Sequence, residues 1–185
     1  MLVPATLAFC AGCCCLSAYA DAQECNLSRK TIGFKVTMCS DRGCNDGVER
    51  LDFVGDKVIH YQDRSEAVGT VYKIGSTVDF CDPQLENYKP RLCRSEAGPM
   101  KAYGTASFVG YDIELQLVQT FVVGGQIPGK VTQIIRVEVP QCSSCKVVES
   151  SIDVASDDGR IRDGSHMAGP ESEWCQIVDT ATLPH

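Results

Sequence analysis

Tyr111-Asp-Ile-Glu-Leu-Gln-Leu-Val-Gln-Thr-Phe-Val-Val-Gly-Gly-Gln-Ile-Pro-Gly-Lys-Val-Thr-Gln-Ile-Ile-Arg-Val-Glu-Val139 is the stretch whose reading decides the fold. Tyr111, Ile113, Leu115, Leu117, Phe121 and Val123 fall on one face of an extended chain, interrupted by Gln119. Val131, Ile135, Val137 and Val139 do the same on the return segment, Lys130 to Val139. A period of two is the mark of a strand with one face in a core. The Gly124–Gly129 segment between them carries three glycines and a proline, and so reads as a turn. The expected element is a long antiparallel hairpin at the centre of a sheet.

The same period recurs upstream. Ile32, Phe34, Val36 and Met38 alternate with Gly33, Lys35 and Thr37. Leu51–Val54 and Lys57–Tyr61 are parted by Gly55-Asp56, a two-residue turn signal in which Gly supplies the positive φ. Thr70–Ile74 and Thr77–Phe80 are parted by Gly75-Ser76, and Cys145–Val148 and Trp174–Val178 read as late strands. No long segment has helical periodicity. The expected fold is all-β: a single disulfide-stapled antiparallel sandwich or barrel of about eight to ten strands. Two long loops are expected within it. One covers 82–100, with Pro83, Pro90 and Pro99; the other covers 150–173, which is polar and Gly-rich.

Ahead of this domain lies an apolar stretch. Residues 1–20 contain no charged side chain and end in Ala18-Tyr19-Ala20, followed by the polar Asp21-Ala-Gln-Glu24. A small-x-small ending after an apolar run is what signal peptidase cleaves. The expected organisation is a signal peptide over 1–20 and one β-rich domain over 21–185. A basic residue before the apolar run is missing. A retained membrane anchor and a lipid attachment at Cys13, in Cys10-Ala-Gly-Cys13, are the competing readings.

Four of the twelve cysteines lie in residues 1–20, and cleavage leaves eight: Cys25, Cys39, Cys44, Cys81, Cys93, Cys142, Cys145 and Cys175. An even count delivered to an oxidising space reads as a disulfide framework. All eight are disulfide candidates. Cys39–Cys44 and Cys81–Cys93 would close short loops, and Cys175 is expected to reach Cys142 or Cys145.

Composition narrows the function classes. A net charge of -7 and an acidic pI argue against a nucleic-acid binder with a basic face. Cys142-Ser-Ser-Cys145 has the spacing of a redox dithiol. It lies between strand-like runs, without the helix start or positive field that holds a thiolate. Cys39, Cys44, Cys142 and Cys145 could be written as a zinc site, but export makes oxidation the cheaper fate. The acidic run Asp153–Gly164 places Ser156 and Asp158 as calcium ligands before Gly159. It fails at Val154 and Ser165, where ligands are required, and adds Arg160 and Arg162. No Gly-x-Ser-x-Gly elbow is present, and of the three histidines His60 sits in a strand pattern, as a half-buried sheet residue. Asn26-Leu-Ser28 is an N-glycosylation sequon in a eukaryotic setting.

Val54-Gly-Asp-Lys-Val-Ile-His-Tyr61, with Gly69-Thr-Val-Tyr-Lys-Ile-Gly75, resembles the central strands of small exported β-rich proteins of unassigned function from rhizobial and related alphaproteobacteria. The resemblance implies an exported β-fold and transfers no catalytic residue. The leading reading is therefore a non-enzymatic exported domain, a binding or structural module of the periplasm or extracellular space. No catalytic, cofactor-binding or metal residue is assigned. The partner is a protein or small-molecule ligand, with no nucleic acid and no stable membrane insertion after signal cleavage. The alternatives are a small secreted hydrolase using His60 or dispersed carboxylates, and a thiol-redox protein using Cys142 and Cys145. A cleft with converging His or carboxylates would mark the hydrolase, and an apolar patch or groove the binding module.

Overall fold

The computed structural model describes residues 26–63, 68–95, 98–123, 126–168 and 174–179. The signal segment and Cys25 lie outside the described residues. The chain is all-β, as the alternation predicts. Its strands are β1 (Lys30–Ser40), β2 (Gly43–Val54), β3 (Lys57–Tyr61), β4 (Thr70–Lys73) and β5 (Thr77–Asp79). They continue with the two-residue β6 (Arg94–Ser95) and β7 (Gly98–Pro99), then β8 (Lys101–Val109), β9 (Asp112–Val123) and β10 (Ile127–Glu138). The last three are β11 (Lys146–Ser156), β12 (Arg162–Met167) and β13 (Trp174–Asp179). Single 3-10 turns cover Pro90–Leu92 and Pro140–Cys142.

One antiparallel sheet runs β4-β3-β2-β1-β12-β11-β10-β9-β8-β5, and β13 lies along the first half of β1. Its two ends come together. Ile74, just past β4, bridges Ala106 of β8 in parallel, and the Gly75 amide donates to the Ala106 carbonyl at 2.8 Å. The sheet is thereby a nearly closed barrel rather than a sandwich. Gly75, expected as a simple turn between neighbouring strands, instead breaks the chain away from β3's partner toward β8, with φ +73°.

The long hairpin forms as read, with Leu115 opposite Ile135 and Ile113 opposite Val137. Ile113, Leu115, Leu117, Ile135, Val137 and Val139 are buried. Its return strand starts at Ile127 rather than Lys130. Tyr111, expected on the buried face, sits with Gly110 in the turn before β9 and is 48% exposed. Gly110 has φ +65°, so the chain reverses there and the inward phase begins only at Ile113.

The barrel interior also takes Ile32, Phe34 and Val36 of β1, Leu51 and Phe53 of β2, Val58 of β3 and Tyr72 of β4. Tyr72 meets Phe80 edge to face, ring centroids 5.4 Å apart. β8 makes room for both rings with Ala102, Gly104 and Ala106 on its inner face. A Cβ on Gly104 would lie 2.6 Å from the Tyr72 ring.

The expected loop over 150–173 is corrected. β11 runs on to Ser156 and turns back through Gly159 into β12. β11 buries Ser150, Ser151 and Ser156. β12, Arg-Asp-Gly-Ser-His-Met, is held through backbone pairing to β11 on one side and to β1 on the other. A strand built from small hydroxyls and charges has no apolar alternation to read. The expected loop over 82–100 holds as far as Cys93, with the 3-10 turn at Pro90–Leu92 within it, and gives way to the short paired strands β6 and β7.

Three disulfides staple the described residues: Cys39–Cys44, Cys81–Cys93 and Cys145–Cys175. Cys142 is disulfide-bonded as well. Cys39 and Cys44 face each other across the β1–β2 hairpin, and Cys175, opposite Phe34 in the β13–β1 register, ties β13 to the head of β11.

Candidate ligand-binding site

A cleft of about 910 Å³ lies where the 82–92 loop passes over the end of β3 and the start of β4. Gln62, Val68, Thr70 and Val71 form one wall, Tyr88, Pro90 and Leu92 the other, and Leu117 of β9 reaches it from the core. The geometry follows from the sheet. Leu117 faces inward in phase with Leu115 and lies opposite Gln133 of β10. The Gln62 amide donates to Gln133 Oε1 at 2.9 Å, which fixes the end of β3 to a strand distant in the sheet order.

The loop wall is rigidly seated. Cys81–Cys93 closes it, Lys89 N–H donates to the Phe80 carbonyl at 2.8 Å, and the Gln119 amide donates to the Leu92 carbonyl at 3.3 Å. Two of the cleft's charges are engaged: Glu86 pairs with Lys57 at 3.1 Å, and the Lys89 ammonium donates to the Val68 carbonyl at 2.8 Å. Asn87 is not fully served: its Oδ1 is buried with no hydrogen-bond partner. Such an atom costs about 1–3 kcal/mol until a donor reaches it.

His60 lies elsewhere. It is expected to be half-buried and is in fact 1% exposed, in the core opposite Leu51 of β2. Its Nε2 is 2.6 Å from Glu49 Oε2. The Tyr72 phenol is held above the ordinary tyrosine range, first by burial and then by the Glu49 carboxylate. His60, Glu49 and Tyr72 are thus a sealed polar cluster inside an apolar core, and none of them lines the cleft.

No protein-family model, curated protein or solved structure matches this chain.

The remaining sequence candidates are resolved by their partners. Cys145 bonds to Cys175, not to Cys142, so Cys142-Ser-Ser-Cys145 is not a closed redox pair. Cys39 and Cys44 are bonded to each other and Cys142 is oxidised too, so the four proposed zinc thiolates are not thiolates. The calcium-like loop is the β11–β12 turn. Asp158 there accepts from the Ser156 hydroxyl at 2.7 Å and the Arg160 amide at 3.1 Å, and its pKa is lowered by those bonds, the Ser156 one foremost. The Arg160 guanidinium closes on the same carboxylate at 3.2 Å. Sequence reasoning missed the cleft. Its residues come from four separate segments, which the sequence marks only as a loop over 82–100 and as short strands.

Proposed function

We propose that this chain is an exported, disulfide-stapled β-barrel that binds a small ligand in the cleft between the 82–92 loop and β4, and is not an enzyme. The observation that carries this reading is the cleft wall. It joins apolar side chains, Val71, Pro90, Leu92 and Leu117, to Asn87, whose Oδ1 is the one buried acceptor without a partner among the described residues. An apolar cleft with a few placed polar groups is the common form of a small-molecule site. The sealed His60–Glu49 cluster supports a structural rather than a catalytic use of the core histidine.

Export is part of the proposal. It is supported by the signal-like segment 1–20, by bridges that need an oxidising space, and by the resemblance of Val54–Tyr61 to exported β-rich proteins. Intact mass of the secreted or periplasmic product should place its first residue near Asp21.

The cleft is tested with Nile red, a neutral apolar fluorophore. Saturable binding at one site per chain is expected. Val71→Trp, which fills the cleft from the β4 wall, should abolish it while cooperative unfolding persists. Absence of binding, or undiminished binding by Val71→Trp, overturns the reading.

A further inference from the structure

We infer that the cleft is built for an apolar carboxylate, with the acid group held at Arg91 and the apolar body laid along Leu92, Pro90 and Leu117. This deepens, and rests on, the reading of the cleft as a binding site.

Three observations point to it. First, Arg91 is the middle residue of the 3-10 turn Pro90–Leu92 and lines the cleft at its exposed rim. Among the described residues it forms no ion pair and no hydrogen bond, whereas Glu86 is matched by Lys57 and the Lys89 ammonium is engaged by Val68. A guanidinium presents paired donors that fit a carboxylate in a two-point contact.

Second, the turn is pre-positioned. Leu92 N–H donates to the Lys89 carbonyl at 2.9 Å, Cys93 N–H donates to the Pro90 carbonyl at 3.2 Å, and the Cys81–Cys93 bridge ties the turn to the end of β5's segment. Backbone order is thus in place before the ligand arrives, which lowers the cost of binding. Third, apolar surface follows directly behind the cation. Leu92 packs against the core, and Leu117 closes the far wall. A cation at the rim with apolar walls behind it matches a molecule whose charge is at one end.

The net charge of -7 does not oppose this. Charges more than about 8–10 Å away are largely screened at physiological salt, and Glu86, the carboxylate among the cleft's lining residues, is already paired with Lys57.

The experiment is displacement of Nile red by decanoate and by decan-1-ol, which share a chain and differ in the head group. Decanoate, kept below its micelle concentration, should displace at roughly tenfold lower concentration than decan-1-ol, an advantage of ~1.4 kcal/mol. Arg91→Gln should remove that advantage, so that the two compounds displace Nile red from the variant at like concentrations. Arg91→Lys should restore part of it, and raising salt should weaken decanoate only. Equal displacement by the two compounds, or an advantage that survives Arg91→Gln, overturns the carboxylate assignment while the cleft reading stands. Failure of Nile red itself to bind overturns both.

Discussion

His60 Nε2 and Glu49 Oε2 meet at 2.6 Å inside the barrel, where the histidine is 1% exposed and the carboxylate side chain 10% exposed. The pair joins β3 to β2 on their inner faces. A buried polar pair of this kind is costly to break from one side, because the survivor is left without its partner. His60→Leu should therefore destabilise the domain by about 3–5 kcal/mol. The double variant Glu49→Leu with His60→Leu should recover much of that loss. Urea denaturation of the three proteins is the measurement. A loss under ~1 kcal/mol in the single variant would mean that Glu49 finds water or another donor.

Tyr72 gives the pH dependence. Its phenol pKa is raised in the folded chain, by burial and by the Glu49 carboxylate. A raised folded value favours the neutral form. The contribution is whole below the unfolded tyrosine pKa of about 10 and is lost as pH climbs from there toward the folded value. In an ultraviolet titration Tyr72 should ionise last among the tyrosines, and only with unfolding. Tyr72→Phe should flatten the fall in melting temperature above pH 10. An unaltered alkaline limb would show that some other group governs it.

The phase of the central hairpin can be tested with adjacent residues. Leu115 is 2% exposed, whereas Glu114 sits on the outer face opposite Arg136. Leu115→Asp removes about 1.5–3 kcal/mol of burial and adds the cost of an unpaired buried charge, and should prevent folding. Glu114→Lys should change the melting temperature little. Circular dichroism melts decide between them, and similar behaviour of the two variants would refute the assigned phase.

Cys145–Cys175 closes a 30-residue separation and fastens β13, whose other neighbour is β1. Replacing both cysteines by serine should cost on the order of 2–4 kcal/mol, mostly by freeing the unfolded chain. The single tryptophan, Trp174, lies within β13 and packs near Gly33. Its fluorescence should shift red as β13 loosens, and β13 amides should exchange faster while β9 and β10 stay protected. Peptide mapping of the native protein should find Cys175 joined to Cys145 and never to Cys142.

Strand formation was legible wherever large apolar residues alternate. Ile113, Leu115 and Leu117, and likewise Ile32, Phe34 and Val36, announce their inner faces because burial of such side chains is the dominant favourable term. Short spacing pointed to the local bridges Cys39–Cys44 and Cys81–Cys93 without fixing them, and the folded chain forms both. β8 and β12 did not follow. β8 turns Ala102, Gly104 and Ala106 inward, and small residues there make sense only once the Tyr72 and Phe80 rings are known to fill the space. β12 is polar up to its last residue, Met167, and its strand is dictated by backbone donors and acceptors on β1 and β11. The sequence by itself thus determined an all-β, disulfide-rich domain, since alternation and cysteine spacing are local properties. Barrel closure at Gly75 and Ala106, the choice of Cys145 for Cys175, the sealing of His60 against Glu49 and the cleft beside Arg91 were decided only by tertiary structure. Each depends on residues distant in the chain, which nothing brings together until the sheet has paired and curled.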